Sequence, residues 1–88
     1  MDDQGIRRVL VEALEIGAVA AIHRPELREP FLAGEGDVEL AGLDMDSLAR
    51  MELCIAIEVE TGVSLTPDEL DGFATLGDLA RQIAARSQ

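Results

Sequence analysis

The residues best suited to chemistry in this 88-residue sequence lie in the segment Leu43–Leu53, with the sequence LDMDSLARMEL. Its hydrophobic periodicity predicts a helix that begins at Asp46 or Ser47 and runs to about Thr61, followed by Gly62. Ser47 would then lie in the first turn, where free backbone N–H groups and the helix dipole favour negative charge. A phosphodiester on the Ser47 hydroxyl would be well placed there.

A simpler interpretation of the same pair is that Asp46 or Ser47 only caps the helix. Both residue types are favoured N-caps, and an isolated Asp-Ser pair usually has no other role. The pair therefore does not identify a modification site without the pattern that surrounds it.

The predicted helix carries two apolar stripes on opposite sides, when its residues are placed about 100° apart. The first stripe contains Leu48, Met51, Ile55 and Val59. The second contains Leu53, Cys54 and Ile57. Glu52 and Glu58 border the first stripe. One stripe must enter the core, and the other is either covered by the preceding loop or left for a partner.

The elements around this helix predict an all-α fold in which residues 1–88 form one domain of four helices, the third of them short. The first periodic segment runs from about Gln4 to Ile22, and Pro25 ends it. Residues 23–45 are rich in proline and glycine, so they are predicted to form a long loop with room for one helical turn. Apolar residues would attach this loop to the core, namely Leu27, Phe31, Leu32, Val38, Leu40 and Leu43.

The last two helices have clear start signals. Thr66 is a predicted N-cap, Pro67 suits the first helical position, and Glu69 completes a capping box. This short helix is expected to end by Gly72. The final helix is expected to open in the segment 75–78 and to run to about residue 86.

Charge is segregated along the chain, whose net charge is −11. Residues 35–78 hold twelve acidic residues and one basic residue, Arg50, while the rest of the chain sums to zero. Such a field repels nucleic acid and anionic membranes, and it attracts proteins with basic patches. The charge pattern therefore favours a protein partner.

Other function classes find little support in the composition. With one cysteine, Cys54, and one histidine, His23, the chain can form neither an internal disulfide nor a Cys/His metal cluster. The start Met1-Asp2-Asp3 is acidic, unlike a signal peptide, and no apolar run is long enough to span a bilayer. A cytoplasmic location is the expectation.

The order of motifs matches a known family. A long loop is followed by Asp46-Ser47-Leu48, Glu52-Leu53, Glu58, Gly62-Val63-Ser64-Leu65, Pro67-Asp68-Glu69 and Thr75-Leu76-Gly77-Asp78-Leu79. This arrangement resembles the acyl carrier proteins and related thiolation domains of fatty acid, polyketide and nonribosomal peptide assembly. The resemblance covers roughly Leu43 to Ile83.

The resemblance implies a four-helix carrier bundle that is not itself an enzyme. A phosphopantetheinyl transferase would use magnesium and coenzyme A to attach 4′-phosphopantetheine to Ser47, and the arm would carry acyl groups as thioesters. The serine-bearing helix would be the docking surface, which assigns partner recognition to Asp46, Leu48, Met51, Glu52, Ile55 and Glu58. Leu53 and Ile57 would belong to the core.

The partners implied are the transferase and the acyl-activating, acyltransferase and condensing enzymes with basic docking patches. Neither nucleic acid nor membrane insertion is expected, and the carrier would be a monomer. Met45, Arg50, Thr61 and the absence of lysine depart from the family pattern. These departures favour a specialised, stand-alone member.

Four alternatives to the acyl carrier can be compared with the same residues. Aspartate before the serine resembles acyl and polyketide carriers, whereas many peptidyl carriers have histidine there, so an aminoacyl or peptidyl carrier is the less favoured alternative. An acidic helical adaptor without a prosthetic group would explain the charge equally well. A hydrolase built on Ser47 and His23 lacks a Gly-x-Ser-x-Gly motif. A calcium loop from Asp44 would place Ala49 and Ile55 where glycine and glutamate are required.

Overall fold

The computed structural model describes residues 2–17 and 19–87, and these form a bundle of α-helices. The helices are α1 (Asp3–Ile16), α2 (Pro25–Ala33), α3 (Ser47–Thr61), α4 (Pro67–Leu70) and α5 (Leu76–Arg86). Short 3₁₀ helices occupy Ala20–His23 and Ala41–Leu43. The predicted all-α class is confirmed, and α4 is the short helix that the sequence predicts.

An aliphatic core holds α1, α3 and α5 together, with α2 packed on α1. Its largest fully buried side chains include Ile6, Leu10, Leu14, Phe31, Leu53, Ile57, Leu79 and Ile83. On α1, α3 and α5 these side chains recur every four residues, which aligns them on one face of each helix. The serine-bearing helix α3 is therefore fixed to the rest of the bundle along its length.

Helix α2 lies within the segment that the sequence predicts to be mostly loop. Pro25 occupies the first helical position, so it starts a helix instead of merely ending the previous one. Pro30 lies inside α2, where it removes a backbone donor. Gly34 ends the helix in the left-handed conformation, with φ 78°. Three residues that suggest a loop therefore build a helix: Pro25 starts it, Pro30 lies inside it and Gly34 ends it.

Helix α1 ends at Ile16, earlier than the predicted end near Ile22. The Gly17 N–H donates to the Ala13 carbonyl at 2.9 Å and closes the last turn. Glycine inside a helix is less favourable than alanine by about 1 kcal/mol, so the helix ends there. The alanines at 20 and 21 continue in the 3₁₀ helix Ala20–His23 instead.

Residues between α2 and α3 are attached to the bundle at both backbone and side-chain level. The Leu40 N–H donates to the Ala74 carbonyl at 3.0 Å, and the Leu76 N–H donates to the Val38 carbonyl at 2.8 Å. The side chains of Val38, Leu40 and Leu43 are buried. The prediction that apolar residues attach this segment to the core is confirmed.

Two charged side chains attach α2 and the residues after it to the rest of the bundle. Arg7 is buried on α1, where its Nη1 donates to the Phe31 carbonyl at 2.9 Å and its guanidinium lies 4.6 Å from the Phe31 ring centroid. Asp37 Oδ1 accepts from the Gly77 N–H at 2.8 Å, at the first turn of α5. A Cβ on Gly77 would lie 2.5 Å from Asp37 Oδ2, so this contact requires glycine.

Hydrogen bonding also affects the pKa of Asp37. Desolvation by burial opposes its ionisation, but hydrogen bonds from the Gly77 and Val38 N–H groups outweigh that effect. A hydrogen bond from Thr75 and the charge of Arg7 act in the same direction. The pKa of Asp37 therefore lies below its ordinary value.

Candidate functional site

The N-terminus of α3 is capped by Asp46. Its backbone is extended, with φ −81° and ψ −179°, and its Oδ1 accepts a hydrogen bond from the Ala49 N–H at 2.8 Å. Its carbonyl accepts from the Arg50 N–H at 3.1 Å, which is the first bond of the helix. Asp46 therefore performs the capping role that the sequence leaves open between Asp46 and Ser47.

Ser47 is the first residue of α3 and is exposed to solvent. Within residues 2–17 and 19–87, its hydroxyl makes no hydrogen bond, and the N–H groups of Ser47 and Leu48 have no acceptor. Because Asp46 already caps the helix, the Ser47 oxygen is available for another role. The two free N–H groups suit an anion on that oxygen.

The chain reaches the head of α3 through a short, well-anchored connection. Leu43 is buried at the end of the 3₁₀ helix Ala41–Leu43. Asp44 follows with φ 51° and ψ 45°, a left-handed conformation that aspartate tolerates better than most residues. This turn directs the chain into Asp46 and sets where Ser47 emerges.

Asp44 and Met45, which precede the head of α3, line two open clefts of about 420 Å³ each. The first cleft borders α3 and α4, and it is also lined by Leu40, Ala41, Arg50, Leu70, Asp71, Phe73 and Ala74. The second borders the connection between α1 and α2, where Arg24 contributes a positive charge.

The structure distinguishes the two apolar stripes of α3. Leu53, Cys54 and Ile57 are buried. Leu48, Met51, Ile55 and Val59 are between 51% and 75% exposed. The second stripe thus enters the core, and the first forms a surface strip that runs from Ser47 along α3. Of the acidic residues beside this strip, Asp46 and Glu58 are exposed and Glu52 is half-buried.

Arg50 has an acidic partner that the sequence does not indicate. Its Nη1 lies 2.9 Å from both Oδ1 and Oδ2 of Asp71, just after α4. The two residues are 21 positions apart, so no local spacing signals the pair. Arg50 therefore joins α3 to the end of α4 beside the first cleft.

Cys54 is a buried packing residue on α3. Desolvation raises its pKa above the ordinary value, and the charges of Glu69 and Asp71 raise it further. A thiol in this state is a poor nucleophile at neutral pH. The structure thus supports the interpretation of Cys54 as part of the core.

Metal binding and membrane insertion each have specific structural requirements. Within residues 2–17 and 19–87, no three His, Cys, Asp or Glu side chains are grouped to hold a metal ion. No helix in the same ranges is both long and apolar enough to cross a bilayer.

Comparison with known proteins gives one match. The model of a family described as phosphopantetheine attachment site matches residues 4–83, which includes the whole of α3 and most of the bundle. The search of curated proteins and the search of solved structures returned no match.

Proposed function

This chain belongs to the phosphopantetheine attachment family, and on that premise we propose that Ser47 is the residue that bears the prosthetic group. As a member of this family, the domain carries covalently attached 4′-phosphopantetheine and is a carrier rather than an enzyme. The terminal thiol of the bound arm supplies a thioester linkage for cargo. The chain's own residues present the arm and bind the enzymes that act on it.

The main support for this proposal is that Asp46, and not Ser47, caps α3. Asp46 accepts from the Ala49 N–H and caps α3, while Ser47 is exposed and its hydroxyl has no hydrogen-bond partner among the residues that the structure describes. A transferase can approach an exposed hydroxyl without disrupting the helix. The free N–H groups of Ser47 and Leu48 and the dipole of α3 would then favour the phosphate after attachment.

We further propose that the exposed strip of α3 is where client enzymes bind. Leu48, Met51 and Ile55 offer an apolar surface that begins one residue after the attachment serine. Asp46, Glu52 and Glu58 lie beside it and would meet basic residues of a partner. The partners would be the phosphopantetheinyl transferase and the enzymes that load, extend or release the cargo.

The cargo that fits the sequence best is an acyl group of fatty acid, polyketide or related biosynthesis. Aspartate stands immediately before Ser47, as in the acyl and polyketide carriers that this chain resembles. A histidine at that position would instead have favoured an aminoacyl or peptidyl cargo. Intact mass measurement of protein from the native host would distinguish these cargo classes directly.

The attachment site is tested by loading the purified protein. After incubation with coenzyme A, magnesium and a permissive phosphopantetheinyl transferase, the protein should gain the mass of one phosphopantetheine. Ser47→Ala should gain nothing, whereas Ser64→Ala, which removes another exposed serine, should load as the wild type does. Loading of Ser47→Ala would overturn the site, and an unchanged wild-type mass would favour an adaptor without a prosthetic group.

A further inference from the structure

Arg50 is the one basic residue between Glu35 and Asp78, a segment with a net charge of −11. It lies three residues after Ser47 on α3, a spacing that brings Cβ atoms to within about 5–6 Å on a helix. A phosphodiester on Ser47 would add negative charge beside Asp44 and Asp46. Arg50 is the cation on the same helix that can offset it.

The guanidinium of Arg50 has donors that its known partner does not use. Arg50 Nη1 donates to both carboxylate oxygens of Asp71, at 2.9 Å each. Arg50 Nε is buried and has no hydrogen-bond partner among the residues that the structure describes. A buried donor without an acceptor is costly, so an acceptor that reached Nε through a small movement of the side chain would be favoured.

The position of Arg50 also makes it accessible to a group on Ser47. The Arg50 side chain is 31% exposed, and it lines the cleft beside α4 together with Met45 and Asp44, the residues that lead into the head of α3. The edge formed by Nε and Nη2 matches two oxygens of a phosphate, which is the geometry that makes arginine a frequent phosphate ligand.

We propose that Arg50 binds the phosphate at the base of the phosphopantetheine arm through Nε while Nη1 keeps its contact with Asp71. This inference rests on the attachment at Ser47 proposed above. The contact gives Arg50 a role in positioning the arm, because it ties the arm's base to the side of α3 that faces α4. It also accounts for a basic residue in a helix whose other charged residues are acidic.

The test uses NMR on protein whose loading has been confirmed by intact mass. The ¹⁵N–¹H signal of Arg50 Nε should shift when the wild type is converted from the apo to the holo form, and Ser47→Ala treated in the same way should show no shift. In the holo form, the ³¹P signal of the phosphodiester should be broader in the wild type than in Arg50→Gln, because the contact restricts its motion.

Two further variants separate this contact from a general effect of charge or packing. Arg50→Lys keeps the positive charge but lacks the planar fork, so its ³¹P signal should also narrow. Arg81→Gln removes an exposed arginine on α5, paired with Asp78, and should leave the ³¹P signal as broad as in the wild type. A protein that fails to load contradicts the proposed function. A loaded wild type with an unshifted Nε signal overturns the role of Arg50 alone.

Discussion

The hydrogen bond from the Ala49 N–H to Asp46 Oδ1, 2.8 Å long, determines what the next residue in the chain is free to do. Serine and aspartate are both good helix caps, and either could have closed the first turn of α3. Because Asp46 accepts this bond, the neighbouring Ser47 hydroxyl faces solvent at a helix N-terminus. The proposed attachment chemistry depends on this arrangement.

Replacing Asp46 with alanine should destabilise the fold. The loss of an N-cap costs about 1 kcal/mol in the free energy of unfolding, within a range of roughly 0.5–2 kcal/mol. Urea denaturation of the apo protein, followed by circular dichroism, measures this change.

Ser47→Ala is the matched control for the cap, since it removes the adjacent hydroxyl on the same turn. Its free energy of unfolding should stay within about 0.5 kcal/mol of the wild type, as for most exposed substitutions. If Ser47→Ala were as destabilising as Asp46→Ala, the serine would share the capping role, and the assignment of the cap to Asp46 alone would be wrong.

Helical periodicity predicts the two stripes of α3 but not which of them is buried. That choice depends on contacts with other helices, chiefly with α1, which is distant in sequence. The resemblance to carrier proteins placed Leu53 and Ile57 in the core, and their burial confirms this. The docking role of Leu48, Met51 and Ile55 stays a prediction, because exposure alone does not identify a partner.

Met51→Glu should weaken recognition by the transferase without unfolding the protein. Met51 is half-exposed in the middle of the α3 strip, so a charge there replaces apolar contact surface with a group that must be desolvated on binding. The catalytic efficiency of the transferase, kcat/KM for the carrier, should fall by about tenfold or more, which corresponds to about 1.4 kcal/mol.

Ile16→Glu controls for the added charge at an exposed apolar residue. Ile16 is 83% exposed at the end of α1, outside the α3 strip. Its kcat/KM should stay near the wild-type value. Equal losses in Met51→Glu and Ile16→Glu would mean that overall charge, rather than the strip, governs recognition.

The same substitution at two isoleucines of α3 should have very unequal effects on stability. Ile57→Ala empties a fully buried position in the core and should lower the free energy of unfolding by about 2–5 kcal/mol. Ile55→Ala, on the exposed strip, should change it by no more than about 0.5 kcal/mol. Thermal or urea unfolding of both variants would reveal a wrong assignment as a reversed order.

The segment between α1 and α3 shows where sequence reasoning failed. Pro25, Pro30 and Gly34 suggest a loop, yet the two prolines lie in α2 and the glycine is its C-cap. The helix is supported by Arg7, which donates to the Phe31 carbonyl from 24 residues away. A contact of this range cannot be inferred from local periodicity, whereas the capping box at Thr66 and Glu69 is local and was predicted correctly.

Asp37 should make a contribution to stability that depends on pH. The pKa of Asp37 in the folded protein lies below the ordinary value of about 3.9, which applies to the unfolded chain. Ionised Asp37 therefore stabilises the fold fully at pH values above the unfolded-state pKa. This contribution is lost as the pH falls through the folded-state pKa. Asp37→Asn should therefore be less stable than the wild type at pH 7, and the difference should shrink as the pH falls below about 4.

Urea denaturation of Asp37→Asn and the wild type across this pH range provides the measurement. The two curves of free energy of unfolding against pH should converge at the acidic end. A constant difference at every pH would mean that the Asp37 carboxylate acts through packing and not through its charge.

Attachment of the arm to Ser47 can be read directly from a peptide map of the loaded protein. Cleavage after arginine releases residues 29–50, in which Ser47 is the one serine and no threonine occurs. After loading, this peptide should carry the added mass of one phosphopantetheine, while the peptides that contain Ser64 and Ser87 stay unmodified. An added mass on either of those peptides, with residues 29–50 unchanged, would contradict the account.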